Sequence, residues 1–184
     1  MPPWLPIFDT PRMPLFQFPA VGIEHPGADP QPDDAGLDLM DEIVRARMPE
    51  IEELIARDDL RRLYRMSGGV QLVLFKLLRT VAGRARRATS LPLAADIVTS
   101  AIETIREDYL AVTVEAAPWL ARIQETNRLD GLPADALATL GGYFQAVVVL
   151  LYCNGTKWYA IHPLMRERVR RAQPDDGDDA ATGV

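Results

Sequence analysis

Cysteine is nearly missing from this chain: Cys153 is the single one in 184 residues, so neither an internal disulfide nor a cysteine-based zinc site can form. It closes the apolar run that starts at Ala146, and a buried, inert thiol is the expectation there. Long hydrophobic runs are missing too. The stretch Ala146 to Cys153 falls far short of the roughly 20 residues a membrane-spanning helix needs. The opening Met1-Pro2-Pro3-Trp4 lacks the charged-then-apolar order of an export signal, so a cytoplasmic chain with no membrane partner is expected. Histidine is scarce: His25 and His162 are the only two. Neither belongs to a constellation of nucleophile, base or metal ligands, so independent hydrolase or transferase chemistry, a metal and a cofactor are not expected. His162 is expected to pack or hydrogen-bond at the end of its strand.

Bases are absent from one end and almost absent from the other. Residues 1–35 hold Arg12 against five acids, and residues 173–184 hold four Asp and no base. Residues 36–172 carry 19 bases and 17 acids. A near-neutral middle with acidic flanks gives no global electrostatic reason to bind nucleic acid.

Nine of the fifteen prolines fall in residues 1–35, a spacing that excludes helix. Trp4, Phe8, Phe16, Phe18, Val21 and Ile23 make this arm too apolar for a solvated linker, so it is expected to lie over a core, its own or a partner's. Residues 26–35 read as the true linker. Helical spacing then begins at Leu37, Met40, Ile43 and Val44, and recurs at Ile51, Leu54 and Ile55 and again at Leu60, Leu63 and Tyr64. Asp58-Asp59 suit an amino-terminal cap and first turn. After Ser67-Gly68-Gly69 a helix places Val73, Leu74, Leu77, Leu78 and Val81 on one face, and a fifth runs through Ile97, Ala101, Ile105, Tyr109 and Val112.

From Pro118-Trp119 the pattern changes to two helices, the second over residues 133–143, followed by β-like runs on either side of Asn154-Gly155 and a short helix containing Leu164, Arg168 and Val169. Asn-Gly between such runs predicts a two-residue type I′ hairpin turn, whose central residues both need positive φ. The fold expected is mainly α: a helical, lid-like bundle (36–112) after the arm and linker (1–35), then a winged helix-turn-helix with a two-stranded wing (113–172), then a disordered acidic tail (173–184).

In combination, Ile43-Val44-Arg45-Ala46-Arg47-Met48-Pro49, Met66-Ser67-Gly68-Gly69 before a Leu-rich helix, and Leu151 to Pro163 resemble the region downstream of the nucleotide-binding core in bacterial AAA+ and STAND-like P-loop ATPases. That resemblance implies a lid whose Ser67, Gly68 and Gly69 turn approaches nucleotide, with an Arg expected where Leu72 stands and Lys76 or Arg79 as substitutes. The chain lacks the G-x-x-x-x-G-K-[ST] cradle, and Leu72 cannot make charge-assisted bonds to phosphate. The acidic Leu37 to Glu42 stretch fits the first helix rather than a metal-holding strand end.

The leading expectation is a non-catalytic interaction segment that contacts an ATPase core, upstream in cis or in trans, or associates with itself, the sticky element being the proline-rich arm. Nucleic-acid binding is the second reading. The helix that would enter the major groove, Ala134 to Gly142, holds no Lys, Arg, Asn or Gln. Only Lys157 in the wing and Arg166, Arg168, Arg170 and Arg171 remain as low-specificity contacts to phosphate or a partner.

Overall fold

The computed structural model describes residues 19–173 except Arg87 and Thr89. Trp4, Phe8, Phe16, Phe18 and nearly all of the acidic tail lie outside the described residues. Five helices make the first body: α1 (Asp34–Arg45), α2 (Ile51–Leu54), α3 (Arg57–Met66), α4 (Gln71–Ala85) and α5 (Ala95–Glu107). Each buries the stripe its apolar spacing dictates, such as Leu37, Met40 and Val44 of α1, and Val73, Leu74, Leu77, Leu78 and Val81 of α4. α1 packs on α3, α3 on α4 and α5, and α4 on α5. Asp33 caps α1 by accepting from the N–H groups of Ala35 and Gly36 at 3.1 and 3.3 Å. Asp58 and Asp59 occupy the first turn of α3, where the macrodipole favours them, but its cap residue is Ala56. α5 stops at Glu107 rather than continuing to Val112, and an extended segment takes the chain to the second body.

That body is α6 (Ala117–Thr126), α7 (Ala134–Gln145), the antiparallel strands β1 (Val149–Tyr152) and β2 (Trp158–Ile161), and α8 (Arg166–Arg171). The protein is thus mainly helical with a two-stranded wing-like hairpin. No helix among the described residues is long and apolar enough to cross a membrane. Strand alternation splits the hairpin's side chains between two cores. Val149 and Ile161 join Leu120, Ile123, Leu140 and Phe144 in the second body. Leu150, Tyr152, Trp158 and Ala160 make a separate cluster on the other face.

Two expectations about the hairpin are corrected. Tyr152 pairs with Trp158, leaving a five-residue loop from Cys153 to Lys157 in place of a two-residue turn. Gly155 alone in that loop has positive φ, +91°. Asn154 is diverted from turn-making by its side chain, which accepts from the Trp158 indole N–H at 2.6 Å and donates to the Glu24 carbonyl at 3.2 Å and Asp33 Oδ2 at 3.4 Å. Because the strand ends at Tyr152, Cys153 is the first loop residue and is exposed, not buried.

The described part of the arm lies over its own protein. Ala20 pairs parallel to Tyr152, and Ile23 is fully buried in the first body's core. Residues 23–33 close on themselves through His25 N–H to the Gln31 carbonyl at 2.8 Å and Asp33 N–H to the Ile23 carbonyl at 2.9 Å. The proline-rich stretch is therefore a pinned loop that delivers Asp33 to α1, not a free spacer.

Candidate functional site

The residues singled out in the sequence divide between a buried joint and an open groove. Ser67, Gly68 and Gly69 follow α3 and lie wholly inside. Ser67 Oγ donates to the Tyr64 carbonyl at 2.7 Å and accepts from the Gly69 N–H at 3.3 Å. Gly68 and Gly69 both have positive φ, +62° and +71°, and the arm and hairpin close on them. The Tyr152 hydroxyl donates to the Gly68 carbonyl at 2.9 Å, and the Val21 N–H donates to the Gly69 carbonyl at 3.1 Å. A Cβ on Gly69 would stand 2.0 Å from the Val21 carbonyl oxygen. This turn joins first body, arm and hairpin, and its backbone groups are engaged inside the protein.

His162 completes the joint. It is fully buried just after β2, and at this strand end, where it was expected to pack or hydrogen-bond, it does both. The Leu164 N–H donates to Nδ1 at 3.2 Å, so the ring proton sits on Nε2 and points at the Ser67 carbonyl, 3.1 Å away, and the Tyr109 hydroxyl oxygen, 3.0 Å away. Burial lowers the His162 pKa to about 3; the Ser67 bond opposes this and the Arg166 charge adds to it. The ring is neutral at physiological pH. Burial likewise raises the Tyr109 phenol, which stays protonated. Neutral, hydrogen-bonded groups locked this way hold two bodies in register and have no proton to exchange near pH 7.

Beside the joint, Glu24 is buried and ion-paired with Arg166, whose Nε also donates to the Ile161 carbonyl at 3.1 Å. Desolvation raises the Glu24 pKa, and Arg166 pulls it back. Arg166 therefore pins the arm to the hairpin and α8. Of the other bases proposed for phosphate, Arg170 and Arg171 pair with Glu167 at 2.6 and 2.9 Å on their own helix. Arg168 is half-buried and Lys157 is exposed in the wing loop.

The groove opens between the two bodies. α4 contributes Leu72, Val73 and Lys76, the end of α5 and its connection contribute Ile105 and Asp108 to Leu110, and the end of α7 contributes Ala146 and Val147, around a cavity of 220 Å³. Leu72, at the position where the resemblance leads one to expect Arg, is 67% exposed, and Leu110 is 47% exposed. Lys76 and Asp108 supply the charged groups at this site, while Arg79 is exposed one turn further along α4.

Val147 was not legible in the sequence as a special residue. α7 ends in a Schellman pair: the Val147 N–H donates to the Phe144 carbonyl at 3.1 Å and the Val148 N–H to the Tyr143 carbonyl at 2.8 Å. Val147 thus holds the left-handed position, φ +59°, that helices ordinarily give to glycine or asparagine. A β-branched residue there is an outlier, and such strain persists only where the surroundings enforce it. The one trace in the sequence is negative: no glycine or asparagine stands between Gly142 and Asn154 to end the helix.

No family model, curated protein or solved structure matches this chain.

Proposed function

We propose that this chain does no chemistry of its own and works as an interaction segment, the lid-like and winged-helix part of a P-loop ATPase system, docking an ATPase core supplied in cis or in trans in the cytoplasm. The observation that carries the docking reading is the groove. Leu72 and Leu110 stand exposed on its two sides, and strained Val147 lines it. Apolar side chains grouped around a concavity mark contact surfaces more than scattered exposed ones do. The rest of the reading agrees with the joint. A Ser-Gly-Gly turn whose polar groups bond arm and hairpin has none to offer a nucleotide. Its attachment to the second body suits a device that passes a position between domains.

Two measurements test the proposal. Titration with a fluorescent ATP analogue is expected to give no saturable binding; micromolar affinity that disappears on altering Ser67 would overturn it. The immobilised full chain is expected to retain a P-loop ATPase from the source cytosol, identified by mass spectrometry, and to release it when Leu72→Glu and Leu110→Glu are combined. Retention of no such ATPase, or retention indifferent to the two changes, would sink the reading.

A further inference from the structure

We propose that Asn154-Gly155 is a deamidation site gated by the described arm, and that the carboxylate formed there loosens residues 22–33 from the hairpin. Asparagine is thermolabile, and a following glycine makes it more so because no side chain hinders the attacking backbone nitrogen. In this loop the nucleophile is open. Gly155 is exposed, a Cβ built on it would meet nothing within 4 Å, and its N–H has no partner among the described residues.

The electrophile is closed off. The Asn154 amide is held at both ends, Nδ2 by the Glu24 carbonyl at 3.2 Å and Asp33 Oδ2 at 3.4 Å, and Oδ1 by the Trp158 indole N–H at 2.6 Å. A Cβ on Gly22 would stand 2.8 Å from Asn154 Cγ, so the arm's backbone lies against the very carbon to be attacked. The Glu24–Arg166 ion pair keeps the arm there. The amide can turn towards Gly155 only when the arm lifts, a local opening of the kind that precedes global unfolding.

The reaction balances with water alone. The Gly155 nitrogen gives its proton to water and bonds to Asn154 Cγ; the Cγ–Nδ2 bond breaks, and Nδ2 takes a proton from water and leaves as ammonia. Water then opens the succinimide at either carbonyl carbon, leaving aspartate or isoaspartate, and nothing is oxidised or reduced.

The product reverses the contact. Nδ2 donates to both arm residues, whereas the oxygen that replaces it can only accept and faces the Glu24 carbonyl and the Asp33 carboxylate. Two lost hydrogen bonds and two like charges in contact then oppose the Glu24–Arg166 pair. Asp33 also caps α1 through its other oxygen, so the disturbance reaches the first helix. The change is covalent, and an arm loosened this way stays loosened whether or not an ATPase docks.

The test uses the full chain. Asn154→Asp is expected to speed hydrogen exchange at the His25 and Asp33 N–H groups at least tenfold while α4 stays as protected as in the parent. Adding Asp33→Asn is expected to restore most of the protection, because asparagine caps a helix as well as aspartate does and its amide can donate to the new carboxylate. Exchange unchanged in Asn154→Asp, or faster exchange that Asp33→Asn leaves untouched, would overturn the release. Gly22→Ala, which pushes the arm off Asn154, is expected to speed amide loss at Asn154 at least fivefold at pH 8, read by peptide mass spectrometry with α4 exchange as the check on folding. Equal rates in parent and variant would overturn the gate.

Discussion

Two helices of this protein meet the same geometric problem, and they solve it differently. After α3 and after α7 the chain must turn through a left-handed position. At the first it uses Gly68 and Gly69, at φ +62° and +71°; at the second it uses Val147, at φ +59°. Glycine adopts that conformation without steric cost, whereas a β-branched residue resists it. The glycine turn is sealed inside, where no side chain fits; the valine turn keeps its side chain on an open groove. The difference separates a joint built for closeness from a surface built to present apolar groups.

The comparison breaks first at Gly69. Gly69→Ala would place a Cβ 2.0 Å from the Val21 carbonyl oxygen, backbone that cannot swing aside. Together with the positive φ, this is expected to cost about 4 kcal/mol, read from a denaturant midpoint. A loss under about 1 kcal/mol would mean that the arm does not press on the turn.

Next in size is Arg166→Met. Removing one partner of a buried ion pair strands the other, and about 3 kcal/mol of destabilisation is expected at pH 7. Glu24→Gln in the same chain should recover much of it, because the stranded charge is then gone. If the double variant is as unstable as the single, Arg166 acts through packing or its bond to the Ile161 carbonyl rather than through Glu24.

His162 gives a smaller, pH-dependent effect on the same joint. Its folded pKa of about 3 lies below the ordinary 6.5, so between those values the unfolded chain binds the proton and the folded one does not. Stability is then full above pH 6.5 and falls on acidification, by about 2 kcal/mol between pH 7 and pH 5. Glu24 acts in the opposite sense, since its raised pKa makes the folded state take up a proton first as pH falls towards 4.5. Unfolding free energies at the two pH values, with His162→Asn as the comparison, check this: a slope unchanged in the variant would assign the acid sensitivity elsewhere.

How far the sequence reached depends on the range of the interaction. Apolar spacing found the buried stripes of α1, α3 and α4, because helical periodicity is local. It also placed the hairpin, and His162 before Pro163 read as a group that packs or hydrogen-bonds at the end of its strand. The turn type was missed because Asn154 is held by Glu24, 130 residues away. The same expectation buried Cys153 by extending the strand one residue too far. Ser67-Gly68-Gly69 read as a turn near a ligand, since its actual partners, Tyr152 and His162, lie 84 and 95 residues away. Arg166 read as one base in a solvated row for the same reason, its partner being 142 residues distant. Composition supplies residues for such contacts without saying who meets whom.

Val147→Gly is the mildest change and the sharpest probe of the comparison. Removing the side chain relieves a left-handed β-branched residue, worth about 1–2 kcal/mol. Against this stand the lost contacts of a half-buried valine, about 1 kcal/mol, and the greater freedom of glycine in the unfolded chain, about 1 kcal/mol. The terms nearly cancel, so stability is expected to change by less than about 1 kcal/mol. Its neighbour Val148 is fully buried and has no positive φ, so Val148→Gly gains no relief and is expected to cost about 3 kcal/mol. The gap between two adjacent substitutions of the same kind, measured by denaturation under one condition, reports the strain directly. Near-equal costs would mean that Val147 sits at ease and that its backbone says nothing about the groove. A wide gap would tie the unusual helix end to the surface it presents.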